Sequence, residues 1–443
     1  MMRARKDQIP ILYDVTRLAL RVARGTPNGI DRVDYRFARH FLAPEHQGQG
    51  VLLGPFGPRK IANSAANRVI GVIADRWREV ADPGVDASYQ RLLRWLKEGA
   101  DECSKTAAAL SAWKTTAWSL CRIVRHVDPF GREGPLFSRG LRTAAQARSV
   151  YLNVSQFPTF SKRYFRWLDR RPDVRAAFFV HDLLPLQYPE FFPSIEHRVH
   201  TARLDVIARY ASGAIVSSAE TKAALQGELG ARGRPELPIQ VFPLAAEESF
   251  HTATAAAAEL DGADYFLTVG TIEPRKNHLM LLNVWRDMAE KLGSGTPKLV
   301  IVGAVGWDCE NVFDMLERCR VIQPHVILVR GLSTPALRRV LARARALLMP
   351  SFAEGFGLPV TEALAAKTPV IASDIAPFRR LGAASLILID PTDGPGWRAA
   401  ILQQHHTQTS VEMQPYKDVV TLEGISSWGD MVEFLCSLPE AKG

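Results

Sequence analysis

At 443 residues, 47% of them hydrophobic, with a net charge of +9, the chain exceeds what one hydrophobic core usually organises and has the balance of a globular protein, so two domains are expected. No apolar run approaches the roughly 20 residues that span a bilayer, and Asp14 interrupts the short run behind the basic start Met1 to Lys6, so neither a membrane span nor an export signal is expected. Five cysteines (Cys103, Cys121, Cys309, Cys319, Cys436) form no CxxC pair and leave one over, which suits a reducing, cytoplasmic setting better than a disulfide framework. Charge is uneven: residues 1–180 carry 31 Lys and Arg against 16 Asp and Glu, and residues 181–443 carry 24 against 30. A basic half of this kind suits an anionic membrane surface, a phosphate-bearing acceptor or nucleic acid, or is a solvated face without a partner. Nucleic acid is set aside, because the chain has no aromatic-plus-basic RNA-recognition pattern, zinc finger or helix-turn-helix.

Residues 11–15 read as a first strand, and a helix opens after Gly29. The stretch of about 60–148 reads as an irregular helical insertion. Within it, 89–97 and 107–124 mix Leu and Trp with Lys and Arg, as in helices that pack on a domain or lie on a membrane surface. Strands at 150–154, 176–181, 213–217 and 239–242 and a helix near 196–210 complete a first unit, 1–250. An Ala-rich polar stretch at 251–262 marks the boundary to a second unit, 251–415. There, apolar runs at 265–271, 298–303, 326–330, 347–350, 369–372 and 386–389 alternate with helical ones at 280–292, 335–345 and 360–366. Such alternation predicts a doubly wound parallel sheet whose ligands bind beyond the carboxyl ends of the strands. A last helix is expected at 427–438, within a tail of 416–443.

Chemistry concentrates in Pro350-Ser351-Phe352-Ala353-Glu354-Gly355-Phe356-Gly357-Leu358-Pro359, which leads from a buried strand into a helix containing Glu362. Its loop and helix N-terminus offer unpaired backbone N–H groups and a positive dipole end to an anion. The carboxylates of Glu354 and Glu362 can each accept hydrogen bonds from paired hydroxyls, one pair on a hexose and the other on a ribose. After the strand that ends near Gly270, Arg275 and Lys276 present a fork and a point charge suited to phosphate. His181 and Asp182 stand at another strand end. Asn28 and Gly29 stand after the first strand, where Gly29 permits close backbone approach.

The segment from Glu354 to Glu362 resembles the E-x7-E motif of retaining glycosyltransferases of family 4. That resemblance implies the GT-B fold, an α/β architecture of two Rossmann-like doubly wound domains facing a central cleft. It implies that Glu354 with the amides of Gly355, Phe356, Gly357 and Leu358 holds the donor sugar and phosphate, and that Glu362 binds the ribose. Arg275 and Lys276, in a matching G-x-x-x-x-R-K-N pattern from Gly270, would stabilise the departing diphosphate. His181 would lie by the donor sugar, with Asp182 orienting. Asn28 and Gly29 occupy the place of the family's acceptor-side loop, and Gly331 and Leu332 the place where backbone reads the nucleotide base. The likeness is close over 267–390, looser over 176–244 and 13–39, and lacking for most of 60–148. Lys367 stands where the family usually has Gly, and Arg379-Arg380 where an acidic residue often follows. Ser427-Trp428 resembles the start of a final helix that crosses back onto the N-terminal domain.

The implied activity is a retaining hexosyltransferase. It would move a hexose or deoxyhexose, mannose-type by the likeness around Arg275, from a nucleotide-sugar donor to a glycan or lipid-linked oligosaccharide acceptor in surface polysaccharide biosynthesis. No cofactor is implied. No metal is expected either, since there is no Asp-x-Asp pair and helix dipole, Arg275 and Lys276 supply the positive charge. The alternative is a sugar-nucleotide epimerase of the same fold, which needs no acceptor.

Overall fold

The computed structural model describes residues 9–22, 27–46, 48–54, 57–79, 84–99, 140–247, 250, 257–382, 385–407 and 428–440. The expected helix at 107–124, Gly25, Thr26, Ser427 and part of the expected boundary, 251–256, lie outside these residues. Two sheets organise the chain. The first contains β1 (Ile11–Asp14), β2 (Gln49–Gly54), β3 (Gly57–Lys60), β4 (Val150–Asn153), β5 (Arg175–Val180), β6 (Gly213–Val216) and β7 (Ile239–Val241), in the order β3-β2-β1-β4-β5-β6-β7. Only β3 is antiparallel to its neighbour. The second contains β8 (Tyr265–Val269), β9 (Lys298–Val302), β10 (Val326–Val329), β11 (Leu347–Met349), β12 (Val370–Ser373) and β13 (Leu386–Ile389), all parallel, in the order β10-β9-β8-β11-β12-β13. Helices cover both faces, so the central strands are mainly apolar; β5 is buried at every position.

In each sheet the strand order reverses at the first strand, which opens a crevice beyond the carboxyl ends of β1 and β4 and of β8 and β11. Two helices start at these crevices. Helix Gly29–Phe41 is set by a capping box, in which Asn28 accepts the Asp31 N–H at 2.8 Å and Asp31 accepts the Asn28 N–H at 3.2 Å. Its Val33, Phe37, Ala38 and Phe41 pack into the first core. Helix Leu358–Ala365 is apolar almost all round and buried from Val360 to Ala365. The expected last helix is present as Trp428–Ser437 and packs Met431 and Leu435 into the first core. Arg175 on β5 donates to the carbonyls of Cys436 (2.8 Å) and Leu438 (3.0 Å), and a Cβ at Gly213 would lie 2.3 Å from the Leu438 side chain. Glycine at 213 is what admits the returning chain.

The β2–β3 hairpin and helix Asn63–Glu79, which buries Val69 and Ile73 in the first core, lie where an irregular insertion was expected to begin. Helix Ala87–Glu98, from the same stretch, packs instead on the second sheet. Its Tyr89, Leu92 and Trp95 are at most 2% exposed there, and Lys298 donates to the carbonyls of Trp95 (3.1 Å) and Leu96 (2.7 Å). The apolar face of this helix therefore meets protein and not a lipid surface. Among the described residues no helix is long and apolar enough to cross a membrane.

Candidate functional site

The loop after β8 turns at Asn277, whose left-handed backbone (φ 56°) starts helix His278–Leu292. Its amide donates to Pro350 O (3.2 Å) and Pro391 O (2.8 Å), tying the loops after β8, β11 and β13 together. That brings Arg275 and Lys276 onto Glu354. Arg275 Nη1 donates to Glu354 Oε2 at 3.0 Å and to Ala353 O at 2.9 Å, Lys276 Nζ meets Oε1, and Ser351 Oγ donates to Oε1 at 2.7 Å. Burial alone would raise the Glu354 pKa, but the charges of Lys276 and Arg275 prevail and lower it to about 2. Burial pushes the Lys276 ammonium down against the pull of Glu354, whereas Glu354 and Glu273 hold Arg275 up against burial. Gly270 lies directly over the lysine stem, since a Cβ there would be 3.2 Å from Lys276 Cε.

The turn into helix Leu358–Ala365 needs glycine twice. Gly357 has φ 86°, and a Cβ on it would lie 2.4 Å from Phe378. A Cβ on Gly355 would lie 2.8 Å from Asp182 Cβ and 3.2 Å from His181 O, so the two halves touch here. Phe356 and Leu358 pack their side chains into the first core, leaving their backbone at the cleft. Gly29 faces Leu358, with a Cβ at Gly29 placed 3.5 Å from Leu358 Cδ1. Two helix N-termini thus converge across the cleft, an arrangement that favours an anion between them.

On the first half, His181 directly follows β5, is 8% exposed, and holds its Nε2 2.8 Å from Val154 O. A carbonyl partner requires the proton on Nε2, which leaves Nδ1 as an acceptor. Burial, helped by the charges of Arg17 and Arg203, lowers its pKa to about 4, so the ring is neutral at pH 7. Asp182 accepts the Leu184 N–H at 3.2 Å and lines a cavity of about 190 Å³ with Gln187, Tyr188, Glu220, Phe352 and Glu354. The cavity opens between the halves beside Glu354. Phe352 of its lining stacks on Phe191 at 5.3 Å and 8°, and Trp307 Nε1 donates to Phe191 O at 2.9 Å.

The structure brings together Gly270, Arg275, Lys276, Glu354, Gly355, Asp182 and His181. Asn28 is nearby, but its side-chain oxygen is engaged in the helix cap. Glu362, 2% exposed, is paired with Arg32 of helix Gly29–Phe41, which opposes the rise in pKa that burial imposes on the carboxyl. Gly331 and Leu332 follow β10 at the far end of the second sheet, Gly331 with φ 72°. Sequence reading assigned no role to Arg32, to Ser351, or to Glu220, which pairs with Arg380 at 2.8 Å across the cleft. Only Ser351 stands close enough in sequence to its partner, three residues before Glu354, for spacing to have suggested it. Among the described residues no cluster of His, Cys, Asp and Glu could hold a metal ion.

Residues 252–396 match the family model described as Glycosyl transferases group 1. Serotype-specific mannosyltransferase WbdA of Escherichia coli is 30% identical over 219 residues, which cover 46% of this chain and 27% of that protein. O-antigen chain mannosyltransferase RfbU of Salmonella typhimurium is 32% identical over 139 residues, 31% of this chain and 37% of that protein. The matched stretch thus spans about a quarter to two fifths of the length of these relatives. Among solved structures, sucrose-phosphate synthase from Thermosynechococcus elongatus superposes with a TM-score of 0.59 at 15% identity over 96% of this chain and 97% of that one. The E. coli trehalose-6-phosphate structure bound with UDP-2-fluoro glucose gives 0.58 at 12% identity, over 97% and 99%. At such identities these two speak for the fold alone. The two facing Rossmann-like sheets, the superpositions and the sequence matches agree: this is a GT-B-fold chain related to the group 1 glycosyl transferases and to bacterial O-antigen mannosyltransferases.

Proposed function

We propose that this chain transfers a mannose-type hexose from a nucleoside-diphosphate sugar to a hydroxyl of a glycan or lipid-linked oligosaccharide, with retention of anomeric configuration and without a metal. The observation that carries the reading is Glu354, held between Arg275 and Lys276 directly beside the contact of Gly355 with Asp182. The choice of mannose follows the names of the relatives, which are mannosyltransferases. In this reading the donor diphosphate lies at the N-terminus of helix Leu358–Ala365, and Arg275 and Lys276 turn from Glu354 towards it. The freed Glu354 oxygens accept hydrogen bonds from the donor sugar, and Glu362 accepts them from the ribose once Arg32 yields. The acceptor enters through the cavity at Gln187 and Tyr188.

In this reading retention comes from front-side attack. The bond from the anomeric carbon to the phosphate oxygen breaks as the bond to the acceptor oxygen forms on the same face. The departing phosphate takes the acceptor proton, while Arg275 and Lys276 hold its charge in a site largely closed to water. His181, neutral and fixed by Val154, positions the sugar and acts as no base. Incubating the protein with a panel of nucleotide sugars and an oligosaccharide acceptor, with and without EDTA, tests the reading. A new glycoside that keeps the donor's anomeric configuration by one-bond carbon–hydrogen coupling supports it. Manganese-dependent transfer, or inversion, refutes the mechanism, and isomerisation of the nucleotide sugar without acceptor would make the chain an epimerase.

A further inference from the structure

Helix Ala87–Glu98 comes from the first half of the sequence yet docks on the second sheet, and its start is joined to the loop that follows β10. Asp86, 6% exposed, uses its two oxygens for different tasks. Oδ1 caps its own helix by accepting the N–H groups of Ser88 (2.9 Å) and Tyr89 (3.1 Å), and Oδ2 accepts the N–H of Ser333 at 2.9 Å. Ser88 Oγ donates to Arg330 O at 2.8 Å. The loop is therefore pinned at both ends by a segment more than two hundred residues away in sequence. Between the pins lie Gly331 and Leu332. Gly331 is left-handed at φ 72°, and a Cβ there would meet nothing within 4 Å, so the backbone at Gly331 faces open space while the Leu332 side chain anchors the loop in the second core. With Arg330 O and the Ser333 N–H engaged inside the protein, a planar ligand edge at this loop meets the backbone of Gly331 and Leu332.

We propose that Asp86 and Ser88 are positioning residues for nucleotide selectivity: they fix the 330–333 loop so that its backbone discriminates the base of a nucleoside diphosphate. The proposal rests on the nucleotide-sugar reading above. Asn caps a helix as well as Asp does, so Asp86→Asn keeps the cap through its amide oxygen while turning an NH2 group onto the Ser333 N–H. Ser88→Ala removes the other pin and leaves the cap intact. Calorimetric titration of the full chain with GDP, ADP, UDP and CDP, and with pyrophosphate, gives the readout. Loss of one ordering hydrogen bond is expected to raise the Kd of the preferred nucleoside diphosphate about fivefold in each variant. The Kd values for the other bases and for pyrophosphate stay within about twofold, and kcat at saturating donor stays unchanged. A lower melting temperature with wild-type selectivity in both variants overturns the proposal, leaving the helix as packing alone. A wild-type chain that binds none of the four nucleoside diphosphates overturns the donor reading and the proposal with it.

Discussion

Lys276→Met separates the electrostatic role of Lys276 from its packing. Methionine reproduces the stem that lies beneath Gly270, where a glycine Cβ would come within 3.2 Å of Lys276 Cε, and deletes only the charge. Glu354 keeps Arg275 Nη1 at 3.0 Å and Ser351 Oγ at 2.7 Å, so the turn stays anchored. Losing one charge-assisted hydrogen bond costs about 1.5–3 kcal/mol of stability. Burial already pushes the Lys276 ammonium down, so removing a desolvated charge brings the net cost towards the lower end. Turnover responds differently. A preorganised donor aimed at the departing phosphate is worth about 3 kcal/mol in the transition state, or about 100- to 1,000-fold in kcat. Lys276→Arg should not restore activity, because a guanidinium fork needs room that the Gly270 backbone denies it. Steady-state kinetics at saturating donor, with a circular-dichroism melt on the same samples, give both numbers. A kcat within about threefold of the wild type, or a loss confined to KM, would refute the role, since the latter marks binding shared equally by ground and transition states.

Acid should act through Glu354. Its folded pKa of about 2 lies below the ordinary 4.5, so it contributes stability above pH 4.5 that is lost as pH falls towards 2, on the order of 3 kcal/mol in all. Unfolding followed across that window should show a shallower acid limb for Glu354→Gln, and superimposable limbs would contradict the charge assignment. Lys367 is left-handed at φ 60° and exposed, so Lys367→Gly should raise stability by about 1 kcal/mol through relief of the side-chain strain; a lower melting temperature would count against it. The excess of cations in residues 1–180 leads to the expectation of salt-reversible flotation with anionic but not neutral vesicles, at about 1 kcal/mol per cation near the surface. Equal flotation with both vesicle types would leave these charges as a solvated face.

The second sheet was legible because its signal is local. Each of its six strands is a mainly apolar run between helical stretches, and each observed strand lies within about two residues of the run that announced it. β3 could not be read this way. Gly57-Pro58-Arg59-Lys60 has no apolar residue, and it is a strand only because β2 pairs with it at the sheet edge, where Pro58 is tolerated. Helix Ala87–Glu98 was legible as a helix, but nothing in its own residues says which sheet Tyr89, Leu92 and Trp95 cover. The site divides similarly. Glu354, Gly355, Gly357 and Glu362 occur within nine residues, and Arg275-Lys276 is contiguous. The pairs Arg32 with Glu362 and Arg380 with Glu220 join residues 330 and 160 positions apart. Asn28 was read towards the acceptor although Asn28-Gly29-Ile30-Asp31 carries the local pattern of a capping box, which is how the structure uses it. Lys367 shows the converse: the glycine expected at that turn is absent, yet its left-handed backbone is present.

The pairing of charges within the cleft bears on what can bind there. Glu354 is matched by Arg275 and Lys276, and Glu362 by Arg32. Each is largely buried, so removing one partner of a pair leaves a desolvated charge with a penalty of several kcal/mol. A diphosphate alone would draw off Arg275 and Lys276 and leave Glu354 without them. A free sugar would offer hydroxyls to Glu354 while giving the cations nothing better. A ligand that brings a diphosphate for the cations and hydroxyls on either side of it for the two carboxylates replaces every broken contact at once. A nucleoside-diphosphate sugar has that order of groups, with ribose, diphosphate and hexose in line. Glu362, the N-terminus of helix Leu358–Ala365 and Glu354 follow one another along the same turn of chain. Under the proposed function the internal pairing makes the whole donor bind more tightly than a nucleoside diphosphate or a sugar alone, because each fragment leaves one broken ion pair only partly replaced.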